Sequence, residues 1–214
     1  MNNIKYGLNS NVSTLKAVLL KDPKAAFKSQ KTIDLQWQNL NFIERPDFKK
    51  SIIQYEKFVD ILNDNHVQIL FIPEDDETSL DSIYTHDPMF MTPNGAVIGN
   101  MGKKQRKPET AMMKKYLYET GIPILGEINN GGTLEGGDAI WINDKIAAVG
   151  LTYRTNGTAI FAFGFRANNM HISYSYDHTF AGKIMHYTYG THELGIAFRI
   201  ETMSTKRHIG FSGY

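Results

Sequence analysis

The chain has 214 residues, enough for one domain of ordinary size or at most two small ones. Hydrophobic residues at 42% and charged residues at 21% are the proportions of a soluble globular protein, and a net charge of +1 gives no footprint for nucleic acid or an anionic membrane. Cysteine is absent, which excludes disulfides, thiolate metal sites and thiol nucleophiles together.

No run approaches the ~18 apolar residues of a membrane-spanning helix. The N-terminus, Met1-Asn2-Asn3-Ile4-Lys5-Tyr6, has no apolar signal core, so a cytoplasmic protein is expected. Leu15–Leu20 then reads as a strand closed by a turn at Lys21-Asp22-Pro23. A helix opens near Arg45-Pro46-Asp47, with Asp47 as its cap; Ile52, Tyr55, Phe58, Val59 and Leu62 recur at helical spacing as one buried stripe. Val67–Ile72 is the next strand, stopped by Pro73.

The second half of the pattern is similar. Met89–Met91 and Ala96–Ile98 flank Pro93-Asn94-Gly95, a hairpin turn. The run Lys103-Lys104-Gln105-Arg106-Lys107 reads as a solvated loop. Pro108 begins a helix that runs through Glu119 and is ended by Gly121, and Ile122–Leu125 follows as a strand. Ala139–Ile142 pairs with Ile146–Val149 across Asn143-Asp144-Lys145. Hairpin, helix and strand thus recur every few tens of residues, which suggests a repeated or propeller-like α/β architecture.

From Gly157 onward the character changes. The last 58 residues hold one leucine and no proline, against thirteen leucines and seven prolines before them, and five of the seven histidines. Two readings stay open. One is a β-rich finishing segment; the other is a sequence that no longer belongs to the preceding domain. The chain accordingly divides into 1–156 and an atypical 157–214 within a single domain of 1–214.

Four short motifs carry the chemistry. They are Tyr84-Thr85-His86-Asp87-Pro88, Arg106-Lys107-Pro108-Glu109, Leu134-Glu135-Gly136-Gly137-Asp138 and Arg154-Thr155-Asn156. Singly, each has an ordinary reading: a turn before proline, an acid at a helix start, a tight Gly-Gly turn, a polar loop. Together and in this order they resemble the guanidino-group-modifying enzymes, namely arginine deiminases, dimethylarginine dimethylaminohydrolases and amidinotransferases. The likeness covers residues ~12–160, and His86 departs from it where that superfamily usually carries arginine.

The resemblance implies an α/β propeller of ββαβ units (the pentein type), incomplete or atypically closed at its C-terminus. It also implies a hydrolase or amidinotransferase acting on arginine-like substrates, with no cofactor and no metal. Asp87 and Glu135 would be carboxylates that grip the planar guanidinium, which presents several N–H donors in one plane. Arg106 and Arg154 would address the other end of an amino-acid substrate, and Asp138 would join the substrate-binding set. In the superfamily a cysteine thiolate attacks the guanidinium carbon, while a glutamate and a histidine assist. Here Glu135 takes the first supporting role and His186, with His171 as the alternative, the second; the nucleophile is missing, so the covalent step is expected to be absent.

The expected partner is a small guanidino compound, with no nucleic acid and no membrane; self-association through exposed strand edges is possible. Two further readings are carried beside the enzyme. One is a guanidinium-binding module without chemistry, and the other a structural or interaction protein on the same fold.

Overall fold

The structure, a computed structural model, describes residues 6–129 and 131–158, together with the backbone of 171–177 and 191–197. Its first strand, β1 (Ala17–Leu20), stops where the sequence turns polar at Lys21-Asp22-Pro23. Asp22 accepts the Lys24 N–H and Pro23 occupies the first helical position, so the turn becomes a short helix, α1 (Pro23–Ala26). Ser29 caps α2 (Gln30–Gln36) through the Thr32 N–H. Periodicity alone did not announce either helix.

Asp47 caps α3 (Phe48–Asp64) by accepting from Lys50 N, as expected, a contact typically worth ~1 kcal/mol. The predicted stripe on α3 is shallower than its spacing suggests. Leu62 is buried, Ile52, Tyr55 and Val59 are half-buried, and Phe58 is exposed. The helix returns the chain to β2 (Gln68–Phe71), which pairs in parallel with β1 in a sheet of two strands among the described residues. So narrow a surface cannot cover the whole apolar side of a 17-residue helix.

One ββαβ unit is complete. β3 (Met89–Thr92) and β4 (Gly95–Ile98) form the expected antiparallel hairpin. Helix α4 (Pro108–Thr120) starts at its proline and ends at Gly121, whose φ of +73° is the left-handed cap that glycine adopts without strain. β5 (Ile124–Glu127) then pairs in parallel with β4. A second hairpin joins β6 (Ala139–Trp141) to β7 (Ala147–Val149). Two longer strands, β8 (His171–Asp177) and β9 (Thr191–Ala197), form a separate antiparallel pair.

The described strands therefore make four sheets of two, three, two and two strands, an α/β fold with no closed ring among the described residues. Three apolar clusters hold it. Met113 and Leu117 of α4 pack onto Ile72 and Ile98; Phe90, Leu134 and Val149 join the β3–β4 and β6–β7 hairpins; Phe27, Ile33, Leu40 and Leu80 pack α1 and α2 against the loop after β2. An N-terminal strap crosses two of the hairpins: Leu8 N–H reaches the Thr92 carbonyl at 3.3 Å, and Asn11 Oδ1 accepts the Trp141 N–H at 2.6 Å.

Candidate functional site

Three loops meet at one end of these sheets: 81–88 ahead of β3, 99–107 between β4 and α4, and 134–138 ahead of β6. Their meeting is enforced by backbone. Gly136 N–H donates to the Asp87 carbonyl at 2.7 Å, and Leu134 and Asn100 exchange backbone bonds at 2.9 and 3.1 Å. A side chain at Gly136 would run into the carbonyls of His86 and Met89, so only glycine lets the two acid-bearing loops touch.

Arg106 lies at the centre, 5% exposed. Its Nε and Nη2 fork onto Glu109 at 2.9 and 2.7 Å, and Nη1 donates to Asp87 Oδ2 at 2.6 Å. Nη2 also reaches the carbonyls of Asp81 and Tyr84 at 3.4 and 3.3 Å. Burial alone would lower the Arg106 pKa, but the hydrogen bonds and charges of Glu109 and Asp87 outweigh it and hold the guanidinium above the usual arginine range. Glu109 is completely buried, and that burial pushes its carboxyl up against the pull of Arg106.

Glu135 is also buried, yet it is well supplied with donors. Its Oε1 accepts the backbone N–H groups of Gly102 and Lys103 at 3.0 and 3.3 Å and Nη1 of Arg154 at 3.0 Å. Its Oε2 stands 4.0 Å from Nη1 of Arg106, the atom that also binds Asp87. The carboxylates of Asp87 and Glu135 therefore converge on a single nitrogen. Among the described residues no hydrogen bond reaches Asp87 Oδ1 or Glu135 Oε2, which leaves one acceptor oxygen on each acid uncommitted.

The loop 152–156 clamps the Glu135 loop from the other side. Thr155, fully buried, accepts the Glu135 N–H at 3.1 Å and donates to Asp138 Oδ2 at 2.6 Å; Thr152 donates to the same oxygen at 2.9 Å. Asn156 bonds both ways with Thr133. Arg154 lies with its guanidinium carbon 5.0 Å from the centre of the Tyr153 ring, and its side chain remains partly open to solvent.

Asp87, Arg106, Glu135, Asp138 and Arg154, singled out from sequence, thus fall within one connected set of hydrogen bonds. His86 is exposed. His186 lies outside the described residues, and His171 starts β8, where the backbone alone is described. Sequence reasoning missed Asp81 and Lys103, gave Thr155 no role of its own within its motif, and read Glu109 as a helix-dipole residue rather than a buried partner. The spacing from Arg106 to Glu109, one helical turn, was the available signal. It also read the basic run as solvated: Lys104, Gln105 and Lys107 are exposed, but Lys103 and Arg106 point inward.

Comparison with known proteins bears on the family and the fold. Residues 40–170 match the family described as arginine deiminase. The dimethylarginine dimethylaminohydrolase of Pseudomonas aeruginosa is 29% identical over 112 residues, 52% of this chain and 43% of that protein. The arginine deiminase of Borrelia recurrentis is 30% identical over 83 residues, 36% of this chain and 20% of that one. The chain spans under half the length of these curated relatives.

Among solved structures, a cysteine-to-serine variant of the Pseudomonas aeruginosa dimethylarginine dimethylaminohydrolase complexed with citrulline superposes with a TM-score of 0.59 at 21% identity, covering 72% of this chain and 57% of that one. The substrate-bound N-terminal domain of ArgZ, a cyanobacterial arginine dihydrolase, gives 0.62 at 15% identity, covering 75% and 58%. These likenesses fix the fold as the pentein α/β type.

Proposed function

Since this chain belongs to the arginine deiminase family of guanidino-group hydrolases, we propose that it binds an arginine-like guanidino compound between Asp87 and Glu135 and does not carry out the covalent step. One observation carries the reading. A guanidinium nitrogen, Nη1 of Arg106, already stands within 2.6 Å of one carboxylate and 4.0 Å of the other, so the spacing of the two acids suits that group. Asp87 Oδ1 and Glu135 Oε2 are the acceptors a ligand would use. Two carboxylates held in a poorly solvated site bind a planar cation far more strongly than exposed acids do.

Arg106 then acts as the strut that aims Asp87, since its own donors are occupied. Arg154, partly open, would face the ligand's α-carboxylate, and Asp138 would hold the 152–155 turn that presents it. His186, or His171 in its place, would be the acid–base group. Expulsion of an amine from the guanidinium carbon needs a nucleophile, and the family's thiolate has no counterpart in a chain without cysteine.

The test is calorimetric titration of the full chain with arginine, a methylated arginine and agmatine, with citrulline as the uncharged control. Binding of the cations but not of citrulline, lost in Glu135→Gln, is expected, with no citrulline, urea or amine released. A structural role on the same fold is the second reading, favoured by the fact that both acids are already paired with the chain's own arginines. No heat with any guanidine, together with a lowered melting point in Glu135→Ala, would establish that second reading instead.

A further inference from the structure

We propose that Lys103 is a positioning residue for the guanidinium site, tying the Glu135 loop to the Asp87 loop through its main chain and its side chain at once; this rests on the binding reading above. Its backbone N–H, with that of Gly102, donates to Glu135 Oε1. Its ammonium turns the opposite way, to Asp81 Oδ2 at 2.6 Å and the Leu40 carbonyl at 2.6 Å. Asp81 lies in the short turn Leu80–Ile83, six residues ahead of Asp87, and its carbonyl also takes a bond from Nη2 of Arg106.

The geometry leaves little slack. A Cβ on Gly102 would lie 2.7 Å from the Arg154 carbonyl oxygen and 2.8 Å from its Cα, so the 102–103 backbone is pressed flat between Glu135 and Arg154. The Lys103 and Asp81 side chains are 12% and 6% exposed, so the pair is largely withdrawn from water and each charge depends on the other. Without the ammonium, the 80–83 turn keeps the bond from Arg106 but loses its tie to the 102–103 backbone, and the spacing of the two acids is held less tightly. A compact ammonium suits two acceptors in different directions, which a planar guanidinium meets less well.

The second buried lysine gives the control. Lys21 is fully enclosed, bonded to Asp75 at 2.7 Å and Thr78 at 3.0 Å, and it touches none of the acids or arginines of the site. If buried lysine pairs act only by holding the fold, the two pairs should be equivalent in a ligand-binding assay.

The experiment uses the full chain, with arginine affinity measured by calorimetry and folding by circular dichroism. Lys103→Met is expected to weaken arginine about tenfold. Lys103→Met/Asp81→Asn, which leaves no orphan buried charge, keeps the fold if the single variant loses it and should show a similar loss, whereas Lys103→Arg recovers at least half of it on a logarithmic scale. Lys21→Met/Asp75→Asn should lower the melting point and leave affinity within threefold of wild type. Wild-type affinity in the folded Lys103→Met/Asp81→Asn protein overturns the proposal, as does an equal loss in the Lys21 pair. Absence of arginine binding in the unaltered chain is a separate failure, that of the binding reading itself, and removes this proposal with it.

Discussion

Asp87 Oδ1 lies 2.8 Å from the point where a Cβ on Gly137 would stand. The second glycine of Leu134-Glu135-Gly136-Gly137-Asp138 is thus the floor under the carboxylate oxygen that Arg106 leaves free. Gly137→Ala should push Asp87 off that floor. Arginine affinity is expected to fall by about tenfold with a change in stability below ~1 kcal/mol, because the flexible end of a side chain can move aside. Gly136→Ala meets backbone on both sides and should instead destabilise by ~3 kcal/mol, since carbonyls cannot yield as a side chain does. Urea unfolding beside calorimetry separates the two effects, and equal behaviour of the variants would contradict this account.

Arg106 and Glu109 form a two-pronged pair from which water is almost wholly excluded. Arg106→Met leaves Glu109 a buried charge without its partner and should cost ~3–5 kcal/mol, read as a drop in the urea midpoint. Arg106→Met/Glu109→Leu should recover a part of that, because no charge is stranded at Glu109. Recovery of nothing would mean that Asp87, not Glu109, is the partner that matters.

Tyr55 presents the opposite situation. Its hydroxyl is buried and finds no hydrogen-bond partner among the described residues, and burial, with Asp22 nearby, pushes its pKa up to about 12. Tyr55→Phe removes an unsatisfied group and should raise stability by ~1 kcal/mol at neutral pH. The folded pKa lies above the ordinary value of 10.0, so the neutral phenol contributes fully below pH 10 and its contribution is lost as pH rises toward 12. Stability of the wild type relative to Tyr55→Phe should therefore decline between those values; a constant difference across them would refute the assignment.

Asp75 titrates at the other end of the scale. Burial alone would raise its pKa, but hydrogen bonds from Lys21 and Thr78 and the charge of Lys21 outweigh that and hold it below 3.8. Its folded pKa being depressed, the carboxylate contributes above pH 3.8 and that contribution is lost as pH falls below it. Asp75→Asn should lower the melting point at pH 7, and the gap to wild type should narrow progressively in more acid solution. A gap that stays constant down to pH 2 would count against the Lys21 pair.

Capping and turn chemistry made the outer frame readable. Asp47, Pro108, Gly121 and the Pro93-Asn94-Gly95 turn each impose a local conformation that no distant contact has to supply, and each stands where the letters placed it. Helices α1 and α2 escaped because they are too short to show a period; Asp22 and Ser29, their caps, were the legible sign. At the site, the four motifs gave identities but not pairings. That Arg106 turns inward to Asp87 and Glu109, and that Lys103 leaves a basic run for Asp81 and Leu40, depends on contacts up to 63 residues apart, which composition cannot register.

The strap near the N-terminus bears on how the chain comes together. Asn11 and Trp141 are 130 positions apart, so their bond closes one of the largest loops in the molecule. During synthesis Asn11 emerges from the ribosome long before the Trp141 N–H that it accepts exists and must wait until β6 has been made. Seating of the strap is then a late event that follows docking of the β3–β4 and β6–β7 hairpins, and a bulky tag fused ahead of Met1 would slow that final closure while leaving the hairpins themselves untouched.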